Sequence, residues 1–495
     1  MHDFPPPPLP SNSSEKFMRT IRVRNEQHIG TLGRLMSIIG NAGGDIGEVR
    51  LIRESHQSTI RDITIYTDDE AQMNEVISAI DAFPETHILA IRDEVLEMHQ
   101  KGKIAVRSRV ALDSLYTLRR VYTPGVAEVC LKIAHDPKLA RLYTAISHLV
   151  AIVTDGTAVL GLGDIGPVAG MPVMEGKAML METLVGLSGI PVLLNTKDTQ
   201  RIIDTVEAIA PTYAAIQLED ISAPRCFEIE ETLQARLDIP VMHDDQHGTA
   251  VVTTAALTTA CRMTGLNIEK VVIGQIGLGA AGNATGRMLM QLTGNPVLGA
   301  DLSEQALARF EEAGGKRASL RELLAEADVV IATTGAPGLI KPEWVRKGQI
   351  ILALSNPNPE IDPAQAIAAG AAFAADGKSV NNVLGFPGIL RGAVDSYAPR
   401  ISHEMYLAAA QTIANLTPED ELVPNPLDFP AGCKYHPRCP LASERCQAEE
   451  PPLREAASGH FTRCWHVERM EELKRATPLA AGSGPASAPA AEGAS

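Results

Sequence analysis

Lys270-Val271-Val272-Ile273-Gly274-Gln275-Ile276-Gly277-Leu278-Gly279-Ala280-Ala281-Gly282 is the stretch whose reading decides the fold. The first seven residues read as a buried strand, and Asn283 to Leu292 reads as a helix. Between them Gly277, Gly279 and Gly282 stand at GxGxxG spacing. A glycine turn there lets the backbone approach a pyrophosphate, whose charge the helix N-terminus favours. The spacing alone is a weak signal; the strand before it and the helix after it supply the required context. The next strand, Pro296-Val297-Leu298-Gly299-Ala300, ends in Asp301, 19 residues after Gly282. A carboxylate at that point accepts both ribose hydroxyls and repels a 2′-phosphate, so NAD is expected, with NADP as the alternative. Further strands end at Ile331-Ala332-Thr333-Thr334-Gly335 and Ile351-Leu352-Ala353-Leu354-Ser355-Asn356.

Upstream, two acidic pairs each close a short apolar stretch: Glu219-Asp220 after Tyr213 to Leu218, and Asp244-Asp245 after Ile239 to Met242. In an open α/β sheet, ligands bind beyond the C-terminal ends of the strands. Two acid pairs there face one crevice, and clustered carboxylates repel one another unless a cation sits among them. Oxygen ligands point to a hard divalent ion such as Mg²⁺ or Mn²⁺. His243 and His247 flank the acids, but such ions favour oxygen over imidazole.

The chain has 495 residues and a net charge of −16. That length implies several domains. The charge excludes nucleic acid or an anionic membrane as a main partner. Aromatics make up only 4% of the residues, and the abundance of Gly, Ala, Val, Ile and Leu suits parallel α/β layers. No apolar run reaches the ~18–20 residues of a spanning helix. The N-terminus lacks the basic segment and apolar core of a signal peptide. A cytoplasmic location is expected.

Residues 1–16 are Pro- and Ser-rich and are expected to be disordered, as are most of 469–495. Residues 17–95 alternate as β-α-β-β-α-β. Residues 96–250 and 251–427 form two further units, and residues 428–468 form a Cys-rich tail. Cys433, Cys439, Cys446 and Cys464, separated by 5, 6 and 17 residues, have the chemistry to ligate an iron–sulfur cluster or Zn²⁺.

Three resemblances add to this reading. Asn25-Glu26-Gln27-His28-Ile29-Gly30, Leu32 to Ile39 and Gly43-Gly44-Asp45-Ile46 resemble an ACT domain, which implies a small effector bound at a paired interface. The segment Gly432-Cys433-Lys434-Tyr435-His436-Pro437-Arg438-Cys439-Pro440, continued by Cys446 and Cys464, resembles the C-terminal extension of oligopeptide and dipeptide ABC-transporter ATPases. No Walker A pattern accompanies it.

The third covers residues 97–427. Tyr122-Thr123-Pro124-Gly125, Gly161-Leu162-Gly163-Asp164, Met174-Glu175-Gly176-Lys177 and His243-Asp244-Asp245-Gln246-His247-Gly248 together resemble malic enzyme of the compact bacterial type. The resemblance implies oxidative decarboxylation of L-malate to pyruvate and CO₂ by a homo-oligomer. It further implies metal ligands Glu219, Asp220 and Asp245, an acid Tyr122, a base Lys177, and Asn356 and Asn382 as contacts to substrate and nicotinamide. The role of Asp244 stays open. Lys177 must be neutral to act as a base, and a place just inside a helix start beside a cation would lower its pKa. The arginine that eukaryotic members carry after Thr-Asp-Gly is replaced here by Thr157 and Ala158, which leaves the carboxylate anchor unassigned. A malolactic-type or oxaloacetate-decarboxylating relative is the alternative enzyme reading, and a non-catalytic effector sensor is the alternative outside enzymes.

The expected fold is thus α/β: a Rossmann-type doubly wound NAD domain and an α/β domain like the malic enzyme N-terminal domain, with an α+β ACT-like module and the Cys-rich tail.

Overall fold

The computed structural model describes residues 17–26, 28–159, 161–425, 431–433, 439, 441–452, 454–457, 460–462 and 464–469. The expected disordered ends, 1–16 and most of 469–495, lie outside the described residues, as does part of the Cys-rich tail. The chain divides into two compact units, Met1–Val423 and Pro424–Ser495.

The first unit opens with β1 (Phe17–Glu26), α1 (Thr31–Asn41), β2 (Asp45–Glu54), β3 (Ser58–Thr67), α2 (Glu70–Asp81) and β4 (Thr86–Arg92). The sheet order is β2-β3-β1-β4, with antiparallel pairs. Ile21, Val23, Ile63 and Ile65 point to one face and bury Leu35, Ile39, Met73, Val76 and Ile80 of the two helices. The period-2 and period-3.6 patterns meet in one core, and the βαββαβ order is as expected.

Four helices follow: α3 (Glu94–His99), α4 (Leu115–Val121), α5 (Val126–His135) and α6 (Ala140–Tyr143). None of them buries a residue. Leu112, Leu115, Tyr116, Leu131 and Leu142 stay exposed on this arm.

A four-stranded parallel sheet comes next. It is built from β5 (Leu149–Thr154), α7 (Pro167–Val185), β6 (Ser188–Leu193), α8 (Thr199–Ile209), β7 (Ala215–Leu218), α9 (Arg225–Arg236) and β8 (Val241–His243). Its order is β6-β5-β7-β8. Val150 to Thr154 of β5 are buried without alternation, the signature of a parallel strand covered on both faces.

The helix α10 (Asp244–Thr264) leaves β8 directly and leads to the second parallel sheet. That sheet takes β9 (Ile273–Ile276), α11 (Ala280–Thr293), β10 (Leu298–Ala300), α12 (Glu304–Glu312), β11 (Lys316–Arg317), α13 (Leu320–Glu326), β12 (Val329–Ala332), β13 (Ile350–Ala353), α14 (Pro363–Ala368) and β14 (Phe373–Asp376). The order β11-β10-β9-β12-β13-β14 reverses direction between β9 and β12. This is the doubly wound pattern, with its switch point at the end of the GxGxxG strand.

The expected boundary at 250/251 falls inside α10, which is continuous. Its Ala250, Val251, Val252 and Ala255 pack with α7, and Leu257, Ala260 and Cys261 pack with the second sheet. The chain then returns: α15 (Phe386–Asp395) and α16 (His403–Leu416) join the core around α7 and α10. Among the described residues no helix is long and apolar enough to cross a membrane.

The second unit has a short helix α17 (Glu444–Ala448) and an antiparallel pair, β15 (Arg454–Ala457) with β16 (His460–Thr462). Cys446 is buried, and Cys433 N donates to Cys446 O at 2.7 Å.

Candidate active site

A cleft of about 860 Å³ runs along the C-terminal ends of both parallel sheets. Ile221 to Ala223 and Asp245 line one wall; Ala280 and Ala281, Thr333 to Gly335 and Asn356 line the other, with Asn382 between them. Asp245 of the second acid pair and the start of α11 after the glycine turn therefore line one crevice.

Each acid is placed by local backbone. Glu219 and Asp220 follow β7 at once. Asp220 adopts φ 54, a left-handed conformation that a short polar side chain tolerates better than most. The turn is stitched to the loop after β5: Thr157 N and Ala158 N donate to Asp220 O at 3.1 and 2.9 Å. Asp220 N in turn donates to Asp245 Oδ2 at 2.9 Å. Asp244 and Asp245 occupy the first turn of α10, where the helix dipole favours negative charge.

Glu219, Asp220 and Asp245 offer carboxylate oxygens all within 4.8 Å of one another. Burial pushes the Glu219 carboxyl well above its ordinary range, despite Lys177. Burial, with Asp245 beside it, pushes Asp220 up to about 8. Asp220 Oδ2 is buried with no hydrogen-bond partner among the described residues. An all-oxygen donor set, two of whose carboxyls are held above their ordinary range, with one oxygen left over, fits a hard divalent cation. His243 is fully buried, with Nε2 at 3.4 Å from Asp245 Oδ2, and His247 is engaged with Glu230 at 3.0 Å. Neither joins the three-carboxylate group.

Lys177 is buried between the two acid pairs. Its Nζ lies 3.0 Å from Glu219 Oε1, pairs closely with Asp244 Oδ2, and sits 4.5 Å from the centre of the Phe386 ring. One expectation is corrected here. Lys177 does not lie just inside a helix start, because α7 begins ten residues earlier at Pro167 and carries Pro172 within it. Among the protein groups alone, burial opposes the Lys177 charge, but Asp244 and Glu219 outweigh burial and hold the ammonium above the usual lysine range. Asn382 joins the same cluster, donating from Nδ2 to Asp244 Oδ2 at 2.6 Å. Asp244, whose role was open, is thus the shared acceptor of Lys177 and Asn382.

On the cofactor side, Gly277 takes φ 82, and its N donates to Ala300 O at 2.8 Å. A Cβ on Gly282 would overlap the Gly277 carbonyl, whereas one on Gly279 would meet nothing within 4 Å. The turn is therefore tight inside and open toward the cleft. Asp301 accepts Leu278 N at 2.6 Å and Ser303 N at 2.7 Å. It ties the glycine turn to β10.

Tyr122 is not brought to this cluster. It follows α4 on the exposed arm, is 67% exposed, and does not line the cleft. Cys433, Cys439, Cys446 and Cys464 form no three-ligand group among the described residues. Sequence reading missed Arg225, which reaches the Thr-Asp-Gly turn from α9: its Nη1 pairs with Asp155 at 2.8 Å and its Nη2 donates to Thr157 Oγ1 at 2.9 Å. It also missed Glu230, a buried carboxylate on the same helix. Neither carries a motif; only the packing of α9 against the strand ends reveals them.

The family description "Malic enzyme, N-terminal domain" matches residues 101–234. "D-isomer specific 2-hydroxyacid dehydrogenase, NAD binding domain" matches residues 239–337. The chain is 54% identical to NAD-dependent malic enzyme 1 of Bacillus subtilis over 417 residues, 84% of this chain and 95% of that protein. It is 44% identical to the NAD-dependent malic enzyme of Geobacillus stearothermophilus, over 81% of this chain and 88% of that one. The crystal structure of malic enzyme from Pyrococcus horikoshii superposes with a TM-score of 0.64 at 41% identity, covering 68% of this chain and 86% of that one.

Proposed function

The chain belongs to the malic enzyme family, and from that premise we propose how its residues divide the work of turning L-malate and NAD into pyruvate, CO₂ and NADH. The protein is an NAD-dependent oxidoreductase of the decarboxylating kind. One observation carries the assignment of roles: Lys177 and Asn382 meet on Asp244, Lys177 also pairs with Glu219 of the Glu219–Asp220–Asp245 trio, and Asp245 and Asn382 line the cleft that the start of α11 also borders.

Glu219, Asp220 and Asp245 would hold Mg²⁺ or Mn²⁺. When bound, the cation supplies Lewis-acid polarisation of the substrate C2 oxygen and charge stabilisation of the enolate left by decarboxylation. Lys177 takes the C2 hydroxyl proton as the C2 hydride passes to the nicotinamide. Asp244 and Glu219 fix its Nζ, and Asn382 fixes Asp244, so the base is aimed from two sides. Asn356 and Asn382 face substrate and nicotinamide. Gly277, Gly279 and Gly282 admit the pyrophosphate, and Asp301 accepts the ribose hydroxyls.

Proton return to C3 of the enolate falls to Tyr122. The arm that bears it must then seat against a cleft, in its own chain or in a second copy. Its exposed leucines support a homo-oligomer built partly on that surface. We read residues 17–95 as an ACT-like effector module on the strength of the βαββαβ order and the Asn25–Ile46 motif. The likeness of the tail to transporter ATPase extensions, with metal on its cysteines, rests on the sequence alone. A cytoplasmic location fits the chemistry.

The test is malate-dependent NADH formation with product analysis. Pyruvate with NADH, dependent on Mn²⁺ and lost in Lys177→Ala, supports the assignment. Lactate without net NADH would replace it with the malolactic reading, and wild-type turnover by Lys177→Ala would remove Lys177 as the base.

A further inference from the structure

β8 is the edge strand of its sheet. In a parallel pair, alternate residues bond the neighbouring strand, and the backbone groups of those between face away. Ile216 N donates to Pro240 O at 2.8 Å. Val241 and His243 therefore turn their polar groups from β7. Both residues are buried, so those groups need partners within the protein. The helix α9 provides them. Gln234 Nε2 donates to Val241 O at 3.1 Å, and Glu230 Oε1 accepts from His243 N at 2.8 Å. Two side chains one helical turn apart take the place of a missing strand.

Glu230 does more than cap the edge. Its Oε2 accepts Gln246 Nε2 at 2.8 Å and lies 3.0 Å from His247 Nε2. His247 is stacked on Tyr406, with ring centroids 4.6 Å apart and planes within 6°. One buried carboxylate thus grips the residue before Asp244 and the two residues after Asp245. It pins both sides of the corner from which those acids project. We propose that Glu230 is a positioning residue for the cation site: it fixes the β8–α10 corner so that Asp245 meets Glu219 and Asp220, and Asp244 meets Lys177. This rests on the reading of Glu219, Asp220 and Asp245 as cation ligands.

Outer partners of metal ligands are worth about 10–100-fold in metal affinity. The full chain is titrated with Mn²⁺ by calorimetry, without substrate, and kcat and the KM for NAD are measured in parallel. Glu230→Ala is expected to weaken Mn²⁺ by about 10–100-fold and to lower kcat, with the KM for NAD unchanged. Glu230→Gln keeps an acceptor for His243 N and is expected to recover most of the affinity. Gln234→Ala removes the grip on Val241 and a 3.3 Å bond to Glu230 Oε1 but keeps the bonds of Glu230 to His243 N, Gln246 and His247, and is expected to bind Mn²⁺ nearly as wild type does. Should Glu230→Ala not fold, His247→Phe keeps a ring on Tyr406, loses the bond to Glu230, and is expected to weaken Mn²⁺ by a smaller factor. Unchanged Mn²⁺ affinity in Glu230→Ala, or in His247→Phe where it stands in, overturns the proposal. So does an equal loss in Gln234→Ala, which would make this a general effect of the edge strand. Asp245→Ala separates the two readings: if it alone abolishes Mn²⁺ binding, only the role of Glu230 fails; if it retains binding, the cation site itself is wrong.

Discussion

Lys177 Nζ and Asn382 Nδ2 converge on a single oxygen, Asp244 Oδ2. The proposed base is therefore held by a carboxylate that cannot swing away without breaking a second bond. That geometry aims the lysine, and it also makes the ammonium harder to deprotonate.

The pH dependence of turnover follows from that pair. Asp244 and Glu219 raise the Lys177 pKa against the effect of burial. Removing the Asp244 charge lowers it, so more of the neutral base is present at low pH. The acidic limb of the kcat–pH profile of Asp244→Asn is expected to move to lower pH. Lys177→Ala is expected to lose about 10²–10⁴-fold in kcat while still binding Mn²⁺. An acidic limb in Asp244→Asn that coincides with wild type would detach Asp244 from the base.

Cation binding is expected to tighten as pH rises. Asp220 is pushed up to about 8, first by burial and then by Asp245, against an unfolded value near 3.8. A carboxyl whose folded pKa is raised binds more protons in the native than in the unfolded state. Without metal, stability at this group falls as pH climbs from about 4 toward about 8. Mn²⁺ displaces the proton, so the rise in melting temperature on adding Mn²⁺ should grow between pH 5 and pH 8. Thermal denaturation with and without Mn²⁺ across that range checks it, and a pH-independent increment would contradict the argument.

Gly282→Ala probes the cofactor turn. The added methyl would overlap the Gly277 carbonyl oxygen, forcing strand and helix apart at the pyrophosphate. NAD binding is expected to weaken by at least tenfold, with Mn²⁺ affinity kept. Gly279→Ala should leave the apo fold intact, because its methyl enters open space, and should cost affinity only through contact with the dinucleotide. Fluorescence titration with NADH distinguishes the two.

Asp301→Ala is expected to raise the KM for NAD more than that for NADP. Both carboxylate oxygens also accept backbone N–H groups, of Leu278 and Ser303, so some loss with either dinucleotide is expected. An unchanged ratio of the two kcat/KM values would remove Asp301 from cofactor choice.

Much of this was legible in the sequence because parallel strands end abruptly at polar residues. Glu219-Asp220, Asp244-Asp245 and the glycine turn each follow an unbroken buried run, and sheet topology then forces those ends together. Lys177 was legible as a residue but not in its setting: Pro172 and Gly170 break the helical pattern of α7 by eye, yet the helix runs through both. Tyr122 shows the opposite limit. Its motif is plain, but the helices of its arm hold no buried residue among the described residues, and no periodicity says what an arm packs against. Arg225 and Glu230 were invisible because both sit on the ordinary amphipathic helix α9: the partners of Arg225 at Asp155 and Thr157 are far away in sequence, and those of Glu230 on β8 and α10 meet it only through the packing of α9 on that corner.

The unbroken course of α10 has a practical consequence for anyone recombining these enzymes. A rod of 21 residues, about 31 Å long at the usual rise per residue, begins at the Asp244–Asp245 pair and ends within the layers of the second parallel sheet. Swapping the nucleotide half between relatives by splicing near position 250 would saw through that rod and set its two ends in mismatched sockets. Splices placed in the loops at either end, before Val241 or after Gly265, would keep the axle whole, and chimeras made there should stay soluble where the midpoint ones do not.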